Sequence, residues 1–184
     1  MTDKPSYLGL LNAIAVAESA AEDYFGAWAA VTPSPEVRQV LQTVALREGE
    51  HGKAFAKRIC ELGYETRPKD DPGAADRLAI AASTSISDRE KFEKLGIGQQ
   101  VQGDAPDVFD PMFGDKNIDI QTGALLGRYI AEERDSGRLL RSCYEQCAAA
   151  DAGGNGQRGE SNGDLAGRVA HIEDLLQQVL ARLG

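Results

Sequence analysis

An all-α fold is predicted, two helical hairpins joined by a long crossover, and three features of this 184-residue chain carry the prediction. Apolar residues recur at i, i+3, i+4 and i+7 over four long stretches, the period of an amphipathic helix. Nothing in the chain alternates convincingly at period two, so no sheet is expected. The stretch from Tyr64 to Ile118 is rich in Gly, Pro and Asp and is long enough to cross the whole length of a bundle.

The first helix is expected over about residues 6–31, with Tyr7, Leu11, Ile14, Ala21, Phe25 and Trp28 on one face, ended by the turn Thr32-Pro33-Ser34. Ser34 then reads as an N-cap, with Pro35 at the first helical position and Glu36 near the positive end of the dipole. This second helix runs over about 35–62 and stops at Gly63; a short turn between two long amphipathic helices makes an antiparallel hairpin. The crossover carries one extra helix over about 73–95, capped by Asp71 and Pro72, and its length suits a third helix running parallel to the second. That third helix is expected over about 120–149, inward through Leu125, Tyr129, Ser136, Leu140, Cys143 and Cys147. Asp151 to Gly156 reads as an exposed loop. A fourth helix over about 164–183 turns Leu165, Val169, Ile172, Leu176, Val179 and Leu183 inward.

The length fits one domain with a substantial core. A formal net charge of -9 argues against nucleic acid or an anionic membrane surface as partner. No apolar run is long enough to span a bilayer, and the N-terminus does not read as a signal peptide, so a cytoplasmic protein is expected. The three cysteines, Cys60, Cys143 and Cys147, read as reduced thiols in the core.

Three polar residues break the apolar stripes. Glu18 falls at the centre of the first stripe. Glu48 and His51, three residues apart and on one face, fill the gap in the second stripe between Val44 and Phe55. An ionised carboxylate turned into a core costs several kcal/mol unless something compensates it, and a buried cation does so. Carboxylates and imidazole are donors that suit first-row metal ions. Glu18, Glu48 and His51 are therefore read as metal ligands. The competing reading is a buried His–Glu pair that satisfies itself. Glu22, one turn after Glu18, is either an extra ligand or a half-buried carboxylate, and Glu50 points away as a solvated charge.

The run Ala17-Glu18-Ser19-Ala20-Ala21-Glu22-Asp23-Tyr24-Phe25, followed at helix–turn–helix spacing by Glu48-Gly49-Glu50-His51-Gly52-Lys53-Ala54-Phe55, resembles the first half of a rubrerythrin-type ferritin-like domain. The resemblance implies a ferritin-like four-helix bundle with a di-iron carboxylate centre and redox chemistry with oxygen or peroxide. It also implies a Glu on the third helix. Glu132 and Glu133 each lie about 50° from the centre of the apolar stripe, and the Ala-Glu context shared with Ala17-Glu18 selects Glu132. On the fourth helix a second Glu-x-x-His is implied, but Arg168 stands three residues before His171. Glu173 and His171 flank that stripe and are the donors left for a second ion, whose position is expected to be altered, weaker or empty.

The function expected from this resemblance is a non-haem iron oxidoreductase that reduces peroxide or oxidises ferrous iron, working as a homo-oligomer. No CxxC…CxxC module follows the bundle, so its electrons would come from an external donor. The rival expectation is a ferritin-like module that has lost turnover and serves in binding or assembly.

Overall fold

A computed structural model describes residues 4–98 and 114–154, with side chains to residue 150. Among the described residues there are five helices and no strand: α1 Leu8–Val31, α2 Pro35–Glu61, α3 Ala74–Ala82, α4 Asp88–Leu95 and α5 Ile120–Gly154. None of them is long and apolar enough to cross a membrane. The expected fourth helix, with Arg168, His171 and Glu173, lies outside the described residues.

Local chemistry sets the ends. The Ser34 hydroxyl accepts from Val37 N at 3.2 Å, and Pro35 opens α2 where its missing N–H costs nothing. At the other end Gly63 takes φ +83°, Tyr64 N donates to Ile59 O at 3.1 Å and Gly63 N to Cys60 O at 2.9 Å. This paired closure uses up the last carbonyls and turns the chain sharply away. Asp119 starts α5 by accepting from the amides of Gln121 and Thr122, each at 3.0 Å.

Three expectations are corrected here. The single helix over 73–95 is two helices. Ser85 N bonds the Ser83 hydroxyl, and Ser87 and Glu90 form a capping box that begins α4 afresh. Serines offer the backbone such alternatives to helix and so break it. Helix α5 does not stop at 149 but continues to Gly154, into the expected loop. Cys60, expected in the core, is exposed on the outer side of α2, while Cys143 is buried.

The direction of α5 also differs from expectation. Near the end of α2, Arg58 bonds Thr122 and Asp119, both at 2.9 Å; near the middle of α2, Arg47 pairs with Asp135 at 2.8 Å. Position along α5 therefore falls as position along α2 rises, and the two helices are antiparallel. Helix α5 runs parallel to α1 instead, from the Tyr7–Asp119 bond (2.7 Å) onward. The connection between α2 and α5 starts and finishes at the same end of the bundle. From Arg67, bonded to Asn12, it climbs beside α1 to Ala81 and Phe92 at the Trp28 end. It is back at the first end by Asp115, which accepts from Ser6 at 2.6 Å.

The apolar interior falls into two clusters. One gathers Tyr7, Leu11, Ile14, Phe55, Ile59, Leu126 and Ile130; the other gathers Phe25, Trp28, Val37, Leu41, Phe92 and Leu140. Between the clusters the buried side chains on α1, α2 and α5 include the polar Glu18, Glu48, His51 and Ser136, and there the candidate site sits.

Candidate metal centre

Glu18 on α1, Glu48 and His51 on α2, and Glu133 on α5 each present one donor atom, all within 4.8 Å of one another. Glu18, Glu48 and His51 are 6%, 5% and 3% exposed. One glycine, Gly52, allows the helices to come this close. A Cβ on Gly52 would stand 2.6 Å from Ser19 Oγ, 3.1 Å from Ser19 N and 3.3 Å from Ala15 O, so a side chain there would push α1 off α2. At Gly49 the same Cβ would meet only the flexible end of Glu22.

The imidazole is held on both sides. His51 Nδ1 lies 3.2 Å from Glu18 Oε2 and 3.4 Å from Glu133 Oε1, while Nε2 lies 2.7 Å from Glu132 Oε2. Tyr129 donates its hydroxyl to Glu18 Oε1 at 3.0 Å, and its ring meets the His51 ring edge-on at 5.0 Å. Glu133 Oε1 is buried and accepts no hydrogen bond. Arg47, bonded to Ser136 at 3.2 Å, closes the α2–α5 contact one residue from Glu48.

Acceptors outnumber donors, and the protonation states show it. Burial pushes the Glu48 carboxyl far above the usual carboxylate range. A hydrogen bond to Glu18 and the charges of Glu18 and Glu133 add to this, and Arg47 opposes it. Burial also raises Glu133. For His51, burial works downward, but the facing carboxylates of Glu133, Glu18 and Glu132 outweigh it and hold the imidazole up to about 10. Burial, then the surrounding carboxylates, keep Tyr129 a phenol. Burial raises Glu132 too, but His51 and Arg128 overcome this and hold it below the ordinary range.

The donor set fits a cation. Fully ionised, three carboxylates against one imidazolium would leave two negative charges uncompensated inside the protein; raised carboxyls hold protons in their place, and a cation can take over that role. Donors bound to one ion at about 2.0–2.2 Å are at most about 4.4 Å apart, so the 4.8 Å spread needs only a small contraction. Mixed carboxylate and imidazole donors suit first-row metals such as iron, manganese or zinc.

The structure thus brings Glu18, Glu48 and His51 together. It also separates the two glutamates that helical periodicity left equivalent: Glu133 faces the buried cluster, whereas Glu132, selected from its sequence context, touches the far side of the imidazole. Glu22 lies outside the cluster, 3.4 Å from Lys53, and Glu50 is exposed and paired with Arg128 at 3.1 Å. Sequence reasoning placed Tyr129 on the inward face but gave it no part in the site. It also passed over Gly49 and Gly52, whose spacing beside Glu48 and His51 was the available signal. Compared with known proteins, the chain matches no family model, no curated protein and no solved structure.

Proposed function

We propose that the buried cluster is the metal centre of a non-haem iron oxidoreductase related to the ferritin-like proteins, acting on peroxide or on ferrous iron with oxygen. The observation that carries this reading is the surplus of buried carboxylates around a single imidazole, with Glu133 Oε1 accepting no hydrogen bond. A self-satisfied structural pair needs one carboxylate. Three, converging from three helices, make sense around a cation.

In this reading Glu18, Glu48 and Glu133 neutralise the ion and His51 supplies its nitrogen donor. The bound iron supplies one-electron redox chemistry toward oxygen species. Tyr129 holds one oxygen of Glu18 and leaves the other to the site. The apolar clusters on either side keep bulk water away. The hairpin carrying Glu18 and Glu48-x-x-His51 supports kinship with rubrerythrin-type domains. The antiparallel course of α5 against α2 departs from the crossover bundle expected from sequence, so the proposal rests on the donor set and not on topology.

One observation favours a second reading, a metal-free helical module for binding or assembly. Both His51 nitrogens and the Tyr129 hydroxyl already have carboxylate partners, so the cluster can close on itself by sharing protons. Anaerobic reconstitution with ferrous iron separates the two. The oxidoreductase requires at least one iron per chain, oxidised on adding peroxide and lost in His51→Ala but kept in Glu50→Ala. No bound iron in the wild type leaves the binding module. Equal loss in both variants would contradict the inward placement of His51.

A further inference from the structure

Glu132 and Glu133 are neighbours in the chain, and they approach opposite nitrogens of one imidazole. Successive α5 residues are turned by about 100°, so the pair straddles the His51 ring: Glu133 Oε1 faces Nδ1 at 3.4 Å and Glu132 Oε2 faces Nε2 at 2.7 Å. On the Nδ1 side lies the buried, acceptor-rich cluster with Glu18. On the Nε2 side lies a chain of exposed groups. Arg128 Nε donates to Glu132 Oε1 at 3.0 Å, and Arg128 Nη2 to Glu50 Oε2 at 3.1 Å. Glu132 is therefore braced from outside while its free oxygen meets the ring.

We infer that Glu132 is a positioning residue and not a ligand: it accepts the Nε2 hydrogen of His51, fixes the ring with Nδ1 toward the buried carboxylates, and leaves the ligand role on α5 to Glu133. This rests on the metal reading above. A histidine that binds a metal through one nitrogen commonly gives its other N–H to a carboxylate, which sets both tautomer and ring angle. The alternative arrangement, with Glu132 and Nε2 as the donors, would place the ion toward the exposed flank. It would also leave Glu18, Glu48 and Glu133 crowded together behind it without a counter-charge.

The test uses zinc, a diamagnetic probe that oxygen donors and imidazole both accept. Full-length wild type and four variants, Glu132→Ala, Glu132→Gln, Glu133→Ala and Glu133→Gln, are titrated, with circular dichroism confirming that each is folded. Nitrogen-15 spectra report the state of each His51 nitrogen in the zinc-loaded wild type. Expected are a metal-bound Nδ1 and a protonated Nε2. Glu132→Ala should keep the wild-type stoichiometry with affinity about 10–100-fold weaker. Glu132→Gln should recover most of that loss, because its amide oxygen accepts the same hydrogen bond. Both Glu133 variants should lose the metal. Metal on Nε2, or loss of stoichiometry in both Glu132 variants with the Glu133 variants intact, overturns the assignment while leaving the metal centre standing. Failure of the wild type to bind zinc or ferrous iron removes the metal reading and this assignment with it.

Discussion

Asp88 and Glu48 are both carboxyl groups buried among apolar helices, and they differ in what surrounds them. Asp88 has a neutral donor on each oxygen, Trp28 Nε1 at 2.7 Å and the Thr32 hydroxyl at 2.5 Å. The Lys91 ammonium, itself buried, lies nearby, donating to Ala81 O at 2.9 Å and standing 5.8 Å from the centre of the Trp28 ring. Glu48 has instead two further carboxylates as neighbours, and its proton is held by burial and then by their crowding. The first arrangement ties α4 to the α1–α2 turn. The second is an interior kept short of positive charge. A buried acid matched by donors serves the fold, and one opposed by other acids is held at the expense of the fold.

The largest expected effect breaks the matched arrangement. Asp88→Ala strands the indole N–H and the Thr32 hydroxyl and should cost about 3 kcal/mol in urea denaturation of the metal-free protein. Glu48→Leu should do the opposite, leaving metal-free stability unchanged or raising it by up to about 2 kcal/mol, because it removes repulsion and desolvation together. A loss of stability in Glu48→Leu as large as that in Asp88→Ala would erase the contrast.

Dependence on pH sharpens the same contrast. Glu48 is raised from 4.5 to about 11 and His51 from 6.5 to about 10 in the folded protein. A group whose folded pKa is raised contributes stability that is complete below its unfolded pKa and is lost as pH rises toward the folded value. The metal-free protein should therefore lose stability as pH rises from about 4.5 to about 11. Metal affinity should rise over the same interval, since protons leave the ligands as the ion enters. Thermal denaturation with and without metal at several pH values checks both signs. Metal-free stability that rises with pH would mean that the cluster is not proton-bound.

The smallest expected effect concerns the helix contact. Gly52→Ala meets backbone atoms of α1 and should destabilise by about 1–2 kcal/mol while weakening metal binding. Gly49→Ala meets only the Glu22 carboxylate, which can swing aside, and the gain in helix propensity should bring it within about 0.5 kcal/mol of wild type. Similar effects at both positions would show that the close approach is not confined to Gly52.

The sequence made the first hairpin legible because period and caps agree: Ser34, Pro35 and Gly63 mark the ends of α2 where the apolar stripe also begins and stops. Glu18, Glu48 and His51 stood out because they occupy stripe positions. Glu132 and Glu133 did not separate, since both flank their stripe and only the placement of α5 against the imidazole decides between them. The course of α5 was hidden for a different reason. The length of a connection bounds how far it reaches but not how often it turns, and the turn depends on the Ser83–Ser87 break and on Asp88 docking beneath Trp28. The capping pair Ser87 and Glu90 was readable in the sequence and marked that break.

The division of the apolar interior by a polar seam bears on how the molecule opens. Each of α1, α2 and α5 belongs to both clusters, yet side-chain packing that would let one end sense the other is interrupted where Glu18, Glu48 and Glu133 meet. Without a cation, mutual repulsion at the seam allows the Tyr7 end and the Trp28 end to fray as separate events. An ion held from all three helices would act as a rivet, turning two partial openings into one cooperative opening. Occupancy of the seam would then appear in amide exchange at both ends of the bundle at once, far from any ligand.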